Sequence, residues 1–231
     1  MPSCSQVIER AKPLLGTRVA VRVHGLAQET AHSAIDAAFA EIARIHALMS
    51  FQEHESDVSR LNRQAHLERV VIDQRTYEVL EQAQTIATAS DGAFDITVAP
   101  HLVARALLPQ PYGACAPDPT AIWRDISLLL DHRVYFRRPL WIDLGGIAKG
   151  YAVDRAMKIL LAFSPTQACV NAGGDLRVVG CDCERVQLRT DHHDPEAVPV
   201  VEICNGSLAS STAIWPDADC KAWRPDHMST H

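Results

Sequence analysis

Trp141-Ile142-Asp143-Leu144-Gly145-Gly146-Ile147-Ala148-Lys149-Gly150-Tyr151 is the stretch around which this chain is built. Its apolar start has the composition of a short buried strand over residues 140–144. A tight turn at the two glycines follows, and then the first turn of a helix. Two adjacent glycines remove both Cβ atoms where strand becomes helix, which frees the backbone and lets a ligand approach it closely. The helix presents unpaired N–H groups and the positive end of its dipole, a setting that favours phosphate. Lys149 adds a point charge in the first turn. Asp143 can hold a ribose hydroxyl or help position a cation. Acid, glycine pair and lysine together compose a cradle for a diphosphate; the same residues also suit a plain turn with a solvated lysine. The spacing is neither that of a P-loop nor a G-x-G-x-x-G after a strand.

Working outward, the helix begun at the glycines runs to Phe163, with Ala148, Ala152, Ala156, Ile159, Leu160 and Phe163 inward, and Ser164-Pro165 breaks it. Upstream, residues 126–130 and 134–136 read as strands joined at Asp131-His132. Residues 107–120 are rich in Pro, Gly and Ala and read as a loop, the composition of a lid. A helix opens at Asp73 and stops at Ser90-Asp91-Gly92, after a short strand at residues 70–72. Ser56 caps a short helix carrying Val58 and Leu61. Residues 31–49 repeat apolar side chains at helical spacing, and residues 18–24 alternate with period two, the mark of a half-buried strand. Downstream, strands are expected at 168–171, 176–179, 186–190, 200–204 and 207–211, with a hairpin turn at Asn205-Gly206.

The chain has 231 residues and a formal net charge of −6. That length fits one large domain or two small ones, and the charge argues against nucleic acid as the main partner. No apolar run approaches a membrane span, and residues 1–6 lack a signal-peptide apolar core, so as given the protein is expected to stay in the cytoplasm. The seven cysteines, with no C-x-x-C pair, suggest reduced, mostly packed thiols. Cys181-Asp182-Cys183 with His192 and His193 can be drawn as a zinc site, but the spacing fits no standard knuckle.

The central stretch resembles the D-x-G-G-x-x-K-G motif of the ApbE family, flavin transferases that use FAD to flavinylate proteins. Four further motifs follow in that family's order. Leu14-Leu15-Gly16-Thr17 is similar to its M-G-T, with Leu15 where methionine is usual. Met49-Ser50 with Ser56-Asp57-Val58-Ser59-Arg60-Leu61-Asn62 is similar to its M-S-x5-S-x-x-x-R-x-N. Gly92-Ala93-Phe94-Asp95-Ile96-Thr97-Val98-Ala99-Pro100 and Asn171-Ala172-Gly173-Gly174-Asp175 match two more. The resemblance implies a single α+β domain over residues 1–231, with mixed and antiparallel sheets packed with helices. It implies transfer of FMN from FAD to a Ser or Thr of a target protein, with AMP released and Mg2+ required. FAD contacts are implied at Leu15, Ala93, Phe94, Asp95, Asp143 and Lys149. The family's flavin-stacking aromatic falls on Gln52, with Phe51 the neighbouring aromatic. The Gly146 carbonyl corresponds to a metal ligand.

The family's later I-x-D-P-x-T-G and D-A-x-x-T-A-like segments, which carry the remaining metal ligands, have no counterpart before His231. The expectation is therefore a chain truncated at its C-terminus, with metal binding weakened. An FAD-binding protein without transfer activity, or an inactive fragment, are the alternative readings. No general base is identifiable from the sequence.

Overall fold

The computed structural model describes residues 7–187 and 200–210. Its largest sheet is antiparallel, in the order β1-β2-β6-β7-β10: β1 (Ile8–Leu14), β2 (Thr17–His24), β6 (Gln167–Ala172), β7 (Asp175–Gly180) and β10 (Gly206–Leu208). Period-two patterning sets its register. Val19, Val21 and Val23 of β2 are buried, while the residues between them face outward in part. β1, which the sequence did not announce, pairs with β2 around a two-residue turn. Leu15 and Gly16 both take positive φ there, 55° and 69°. That is the primed turn whose twist suits adjacent strands.

Two helices lie on this sheet. α1 (Gln28–Met49) packs on β1 and β2, α5 (Gly145–Leu161) packs on β6 and β7, and the two pack on each other. α3 (Gln74–Ala89) contacts both helices and also β4 (Ile126–Leu129) of a second, three-stranded antiparallel sheet in the order β3-β5-β4. Its other strands are β3 (Val70–Val71) and β5 (Arg133–Phe136). The expected β4–β5 turn is present: Asp131 and His132 sit at φ 59° and 54°. α2 (Asp57–Gln64) begins at Ser56, whose Oγ accepts from the Ser59 N–H at 3.0 Å. A short helix, α4 (Ala99–Ala104), begins at the end of the Gly92–Pro100 motif. The main core fills the space between the sheets, with Phe39, Ile42, Leu80, Phe136, Leu144 and Met157 all but sealed from solvent. No helix among the described residues is long and apolar enough to cross a membrane.

Four expectations need correcting. Residues 140–144 are not a strand; they lack a strand partner, and other groups take up their backbone (below). The glycine pair is not a separate turn either. Gly145 and Gly146 open α5 itself and do not adopt positive φ, and Lys149 falls on the second turn rather than the first. Asn205-Gly206 does not join two strands of one hairpin. β9 (Val200–Ile203) pairs with β8 (Glu184–Gln187) in a separate two-stranded sheet, and the turn hands the chain to β10 of the main sheet. Cys183 and Cys204, one residue outside the paired Glu184 and Ile203, form a disulfide with Cα atoms 4.3 Å apart. The adjacency came from strand register, which cysteine spacing alone cannot give. Cys115, Cys169 and Cys181 are free. Cys4, His192, His193 and Cys220, and the segment after 210, lie outside the described residues.

Candidate functional site

The site forms where the 140–144 segment enters α5. The Asp143 N–H donates to the Ile96 carbonyl at 2.8 Å, which ties the Gly92–Pro100 motif to the helix entrance. Two residues earlier in that motif, Phe94 brings its ring edge over the first turn of α5. A Cβ built on Gly146 would lie 3.5 Å from Phe94 Cε2. Gly145 and Gly146 are exposed, so their main chain is open to a ligand rather than packed under apolar side chains. The reason for glycine here is therefore close approach, not unusual torsion. Ile147 and Ala148 donate to the Leu144 carbonyl at 3.0 and 2.8 Å. The Gly146 N–H has no acceptor among the described residues, as expected in a first helical turn.

Asp143 turns its carboxylate back on this helix end. Oδ2 accepts from the Gly145 N–H at 3.1 Å. A Cβ on Gly145 would come within 2.9 Å of that same oxygen. Burial pushes the Asp143 carboxyl above the ordinary carboxylate range, and the N–H groups of Gly145 and Leu144 oppose the shift. Lys149 lies one turn along, on the face shared by Gly145 and Gly146, and makes no ion pair among the described residues. Asp95 caps a short 3-10 turn: Oδ1 accepts from the Thr97 N–H at 2.8 Å and from its hydroxyl at 2.7 Å. Its Oδ2 has no partner among the described residues. Ala93 is exposed beside it, its N–H donating to the Ser90 carbonyl at 3.1 Å.

The remaining candidates lie on other turns. Leu15 belongs to the β1–β2 turn and lines an open hollow of about 550 Å³ with Lys12, Arg18 and His46. Thr17 at its edge fits against Gly173, where a Cβ would fall 2.3 Å from the threonine Oγ1. The second glycine pair is thus needed for strand-end packing at positive φ, 66° and 107°. Gln52 is exposed, its N–H donating to Ser50 Oγ at 3.3 Å. Phe51 is only 8% exposed and belongs to the main core, so it does not stand in for a stacking aromatic.

One residue given no role in the sequence stands out. Asn62 is 2% exposed and makes a two-way bond with the backbone of Ile142: Nδ2 donates to the carbonyl at 3.1 Å and Oδ1 accepts from the N–H at 2.8 Å. Its signal was present. Asn62 follows Val58 and Leu61 at the i, i+3, i+4 spacing of the buried face of α2, and a polar residue on such a face must have a partner.

Among the described residues no three His, Cys, Asp or Glu side chains converge as a metal site. Gly146 lies within α5, where its carbonyl has the helix ladder as first partner and one lone pair to spare. The donors described do not make a magnesium cage. They suit only an ion that takes most of its octahedron from phosphate oxygens and water.

A helix N-terminus stripped of side chains, with a half-buried acid behind it and an aromatic edge over it, marks an α+β protein with one helix end open to a ligand. The comparisons narrow that class. A sequence profile described as the ApbE family matches residues 15–214, and the chain belongs to that family. The FAD:protein FMN transferase of Treponema pallidum is 28% identical over 185 residues, which are 74% of this chain and 51% of that protein. Its counterpart in Klebsiella pneumoniae is 26% identical over 152 residues, 62% of this chain and 48% of that one. The chain spans about half the length of these curated relatives. The crystal structure of the ApbE protein from Thermotoga maritima superimposes with a TM-score of 0.76 at 28% identity, covering 89% of this chain and 70% of that one. The Pseudomonas stutzeri flavinyl transferase ApbE has the same fold, with a TM-score of 0.74 at 23% identity.

Proposed function

We propose that this chain is an FAD:protein FMN transferase, acting as one ApbE-like unit. The observation that carries the reading is the bare first turn of α5, with Gly145 and Gly146 exposed between Asp143 and Phe94. FAD would lay its diphosphate on that turn. The free N–H of Gly146 and the Lys149 ammonium supply positive charge, and Phe94 supplies an apolar edge. Ala93 and the free oxygen of Asp95 would take polar edges of the nucleotide, and Leu15 and Gln52 its more distant parts.

The reaction is an in-line phosphoryl transfer. The hydroxyl oxygen of a Ser or Thr on a target protein bonds to the FMN phosphorus, the bond to the bridging oxygen breaks, AMP leaves and the hydroxyl proton is lost. The chain's contribution is position and charge. Asp143 sits behind the diphosphate and is itself an anion when ionised, which raises the demand for a cation at the helix end. Mg2+, when bound, would neutralise diphosphate charge there, with the Gly146 carbonyl as one protein ligand.

A second reading, retention of FAD without transfer, is favoured by the missing carboxylate cluster among the described residues. One experiment separates the two. The protein is incubated with FAD, Mg2+ and an acceptor domain, and the acceptor is resolved on a denaturing gel. Covalent flavin fluorescence on the acceptor, lost with EDTA, supports transfer. Tightly held FAD with an unlabelled acceptor supports the second reading, and absence of FAD binding overturns both.

The cytoplasmic expectation drawn from the sequence fits poorly with an exposed Cys183–Cys204 bridge, since such bonds persist in oxidising surroundings. We take the protein to work where that bridge survives.

A further inference from the structure

We infer that Asn62 is the positioning residue of the diphosphate cradle, a role that rests on the function proposed above. The 140–144 segment crosses the core without a strand beside it, although Ile142 and Leu144 are fully buried and Leu140 nearly so. Buried peptide groups need partners. Here an amide side chain takes the place of a neighbouring strand. Asn62 offers one donor and one acceptor to the two backbone groups of Ile142, as a paired strand would. The Asp143 N–H, the next donor along, goes to the Ile96 carbonyl.

The segment is thus fixed at two successive residues, by α2 on one side and by the Gly92–Pro100 motif on the other. Two residues further on the exposed glycines begin. Any shift of Ile142 is passed to Asp143, and from there to the Gly145 N–H that its carboxylate holds. α2 is itself held: Ser56 caps it, and the buried Asp57 accepts from the Asp73 N–H at 2.9 Å and from the Thr76 hydroxyl at 2.8 Å. The lever from α2 to the cradle is therefore rigid, as a site held to sub-ångström tolerance needs.

Asn62 is remote in sequence from Ile142, 80 residues away, and its two bonds go to that residue and not to the glycines. Its effect must come through Ile142. The test uses Asn62→Asp and Asn62→Leu in the full chain. Asn62→Asp keeps the acceptor for the Ile142 N–H but sets a carboxylate oxygen against the Ile142 carbonyl. Protonation at low pH restores the donor. Asn62→Leu restores nothing.

Two readouts are taken on variants that still melt cooperatively. Hydrogen exchange over residues 140–148 should quicken relative to the rest of the chain. FAD affinity at neutral pH should fall by about tenfold or more, the scale of effect that a misplaced binding group produces. In Asn62→Asp both should recover as the pH is lowered, and in Asn62→Leu neither should. Exchange over 140–148 that changes no more than elsewhere, or FAD affinity equal to wild type, overturns the assignment. A wild-type chain that binds no FAD sinks the functional reading instead; the exchange measurement then still decides whether Asn62 sets this backbone. Should Asn62→Leu fail to fold, Asn62→Asp across pH decides alone.

Discussion

A methyl group added at Gly146 would lie 3.5 Å from Phe94 Cε2, an ordinary van der Waals distance, and no positive φ stands in its way. Gly146→Ala should therefore fold at least as well as the natural chain, with a gain of up to about 1 kcal/mol from the stiffer unfolded state. FAD affinity should drop by about tenfold or more, because the methyl occupies the space through which a diphosphate reaches the backbone. Thermal melts and fluorescence titration with FAD read the two effects separately; unchanged affinity would remove Gly146 from the site. Cys169 obeys a different rule. Burial pushes its thiol up to about 11, so at pH 8 it stays protonated and shielded. Iodoacetamide should modify the exposed Cys115 and Cys181 in the folded protein and reach Cys169 only after denaturant, as peptide mapping would show. The sequence singled out Asp143, the glycines and Phe94, which the fold brings together, because those residues cluster in short motifs. It marked Asn62 as a polar residue on a buried face but could not name its partner, Ile142, which is distant in the chain. It also misassigned the glycines to a turn, because two Gly codons' worth of freedom says nothing about whether the cause is torsion or close approach.

Most elements were legible where a periodic pattern carried its own cap or turn. α1 follows from apolar spacing alone, α3 and β2 from apolar spacing with Asp73 and Ser90 at the ends of α3 and Gly25 after β2, and the Asp131-His132 turn from its residue types. The apolar run at 140–144 looked like a strand because burial alone was visible, while its missing partner strand was not. Nor does apolar spacing reveal how the helices are held to one another. Glu41 of α1 accepts from Arg75 of α3 at 2.8 and 3.0 Å and from Arg155 of α5 at 3.1 Å. The Tyr151 hydroxyl of α5 donates to Glu78 of α3 at 2.6 Å. Hydrogen bonds from Arg75, then Coulomb attraction from Arg75 and Arg155, hold the Glu41 carboxyl below its ordinary value against the opposing effect of burial. A carboxyl lowered by folding adds stability above the usual carboxylate range and loses it as pH falls through the folded value. Glu41→Gln should cost about 1–3 kcal/mol at neutral pH. The gap to wild type should close as the pH is taken toward 3 in denaturant melts. A gap that stays constant with pH would mean that the carboxylate's charge contributes nothing.

At the scale of the molecule, two apolar clusters divide the labour. The main core, between the two larger sheets, carries the helix entrance and both anchors of the cradle. A small second cluster of Cys169, Leu176, Val178 and Ile203, with Val186, Val201 and Leu208 against it, seats the β8–β9 ribbon on the far strands of the main sheet. A lone two-stranded ribbon is marginal in water, and this one is closed at its open end by the Cys183–Cys204 bond. Arg22 of β2 adds a salt bridge to Glu184 at the start of the ribbon. The bridge should therefore matter to the ribbon and not to the cradle, whose backbone is fixed by Asn62 and by the Ile96 carbonyl. Treating the folded protein with a reductant should raise its mass by the hydrogens of one reduced disulfide. It should also quicken hydrogen exchange over residues 184–187 and 200–203. Exchange over 140–148 and the affinity for FAD should hold at their oxidised values. The ordering is physical: opening the ribbon uncovers the four residues of the small cluster, whereas moving the glycines requires breaking buried bonds to Ile142 and Asp143. Loss of FAD binding on reduction, with the ribbon's exchange unchanged, would reverse that ordering and place the disulfide in control of the site.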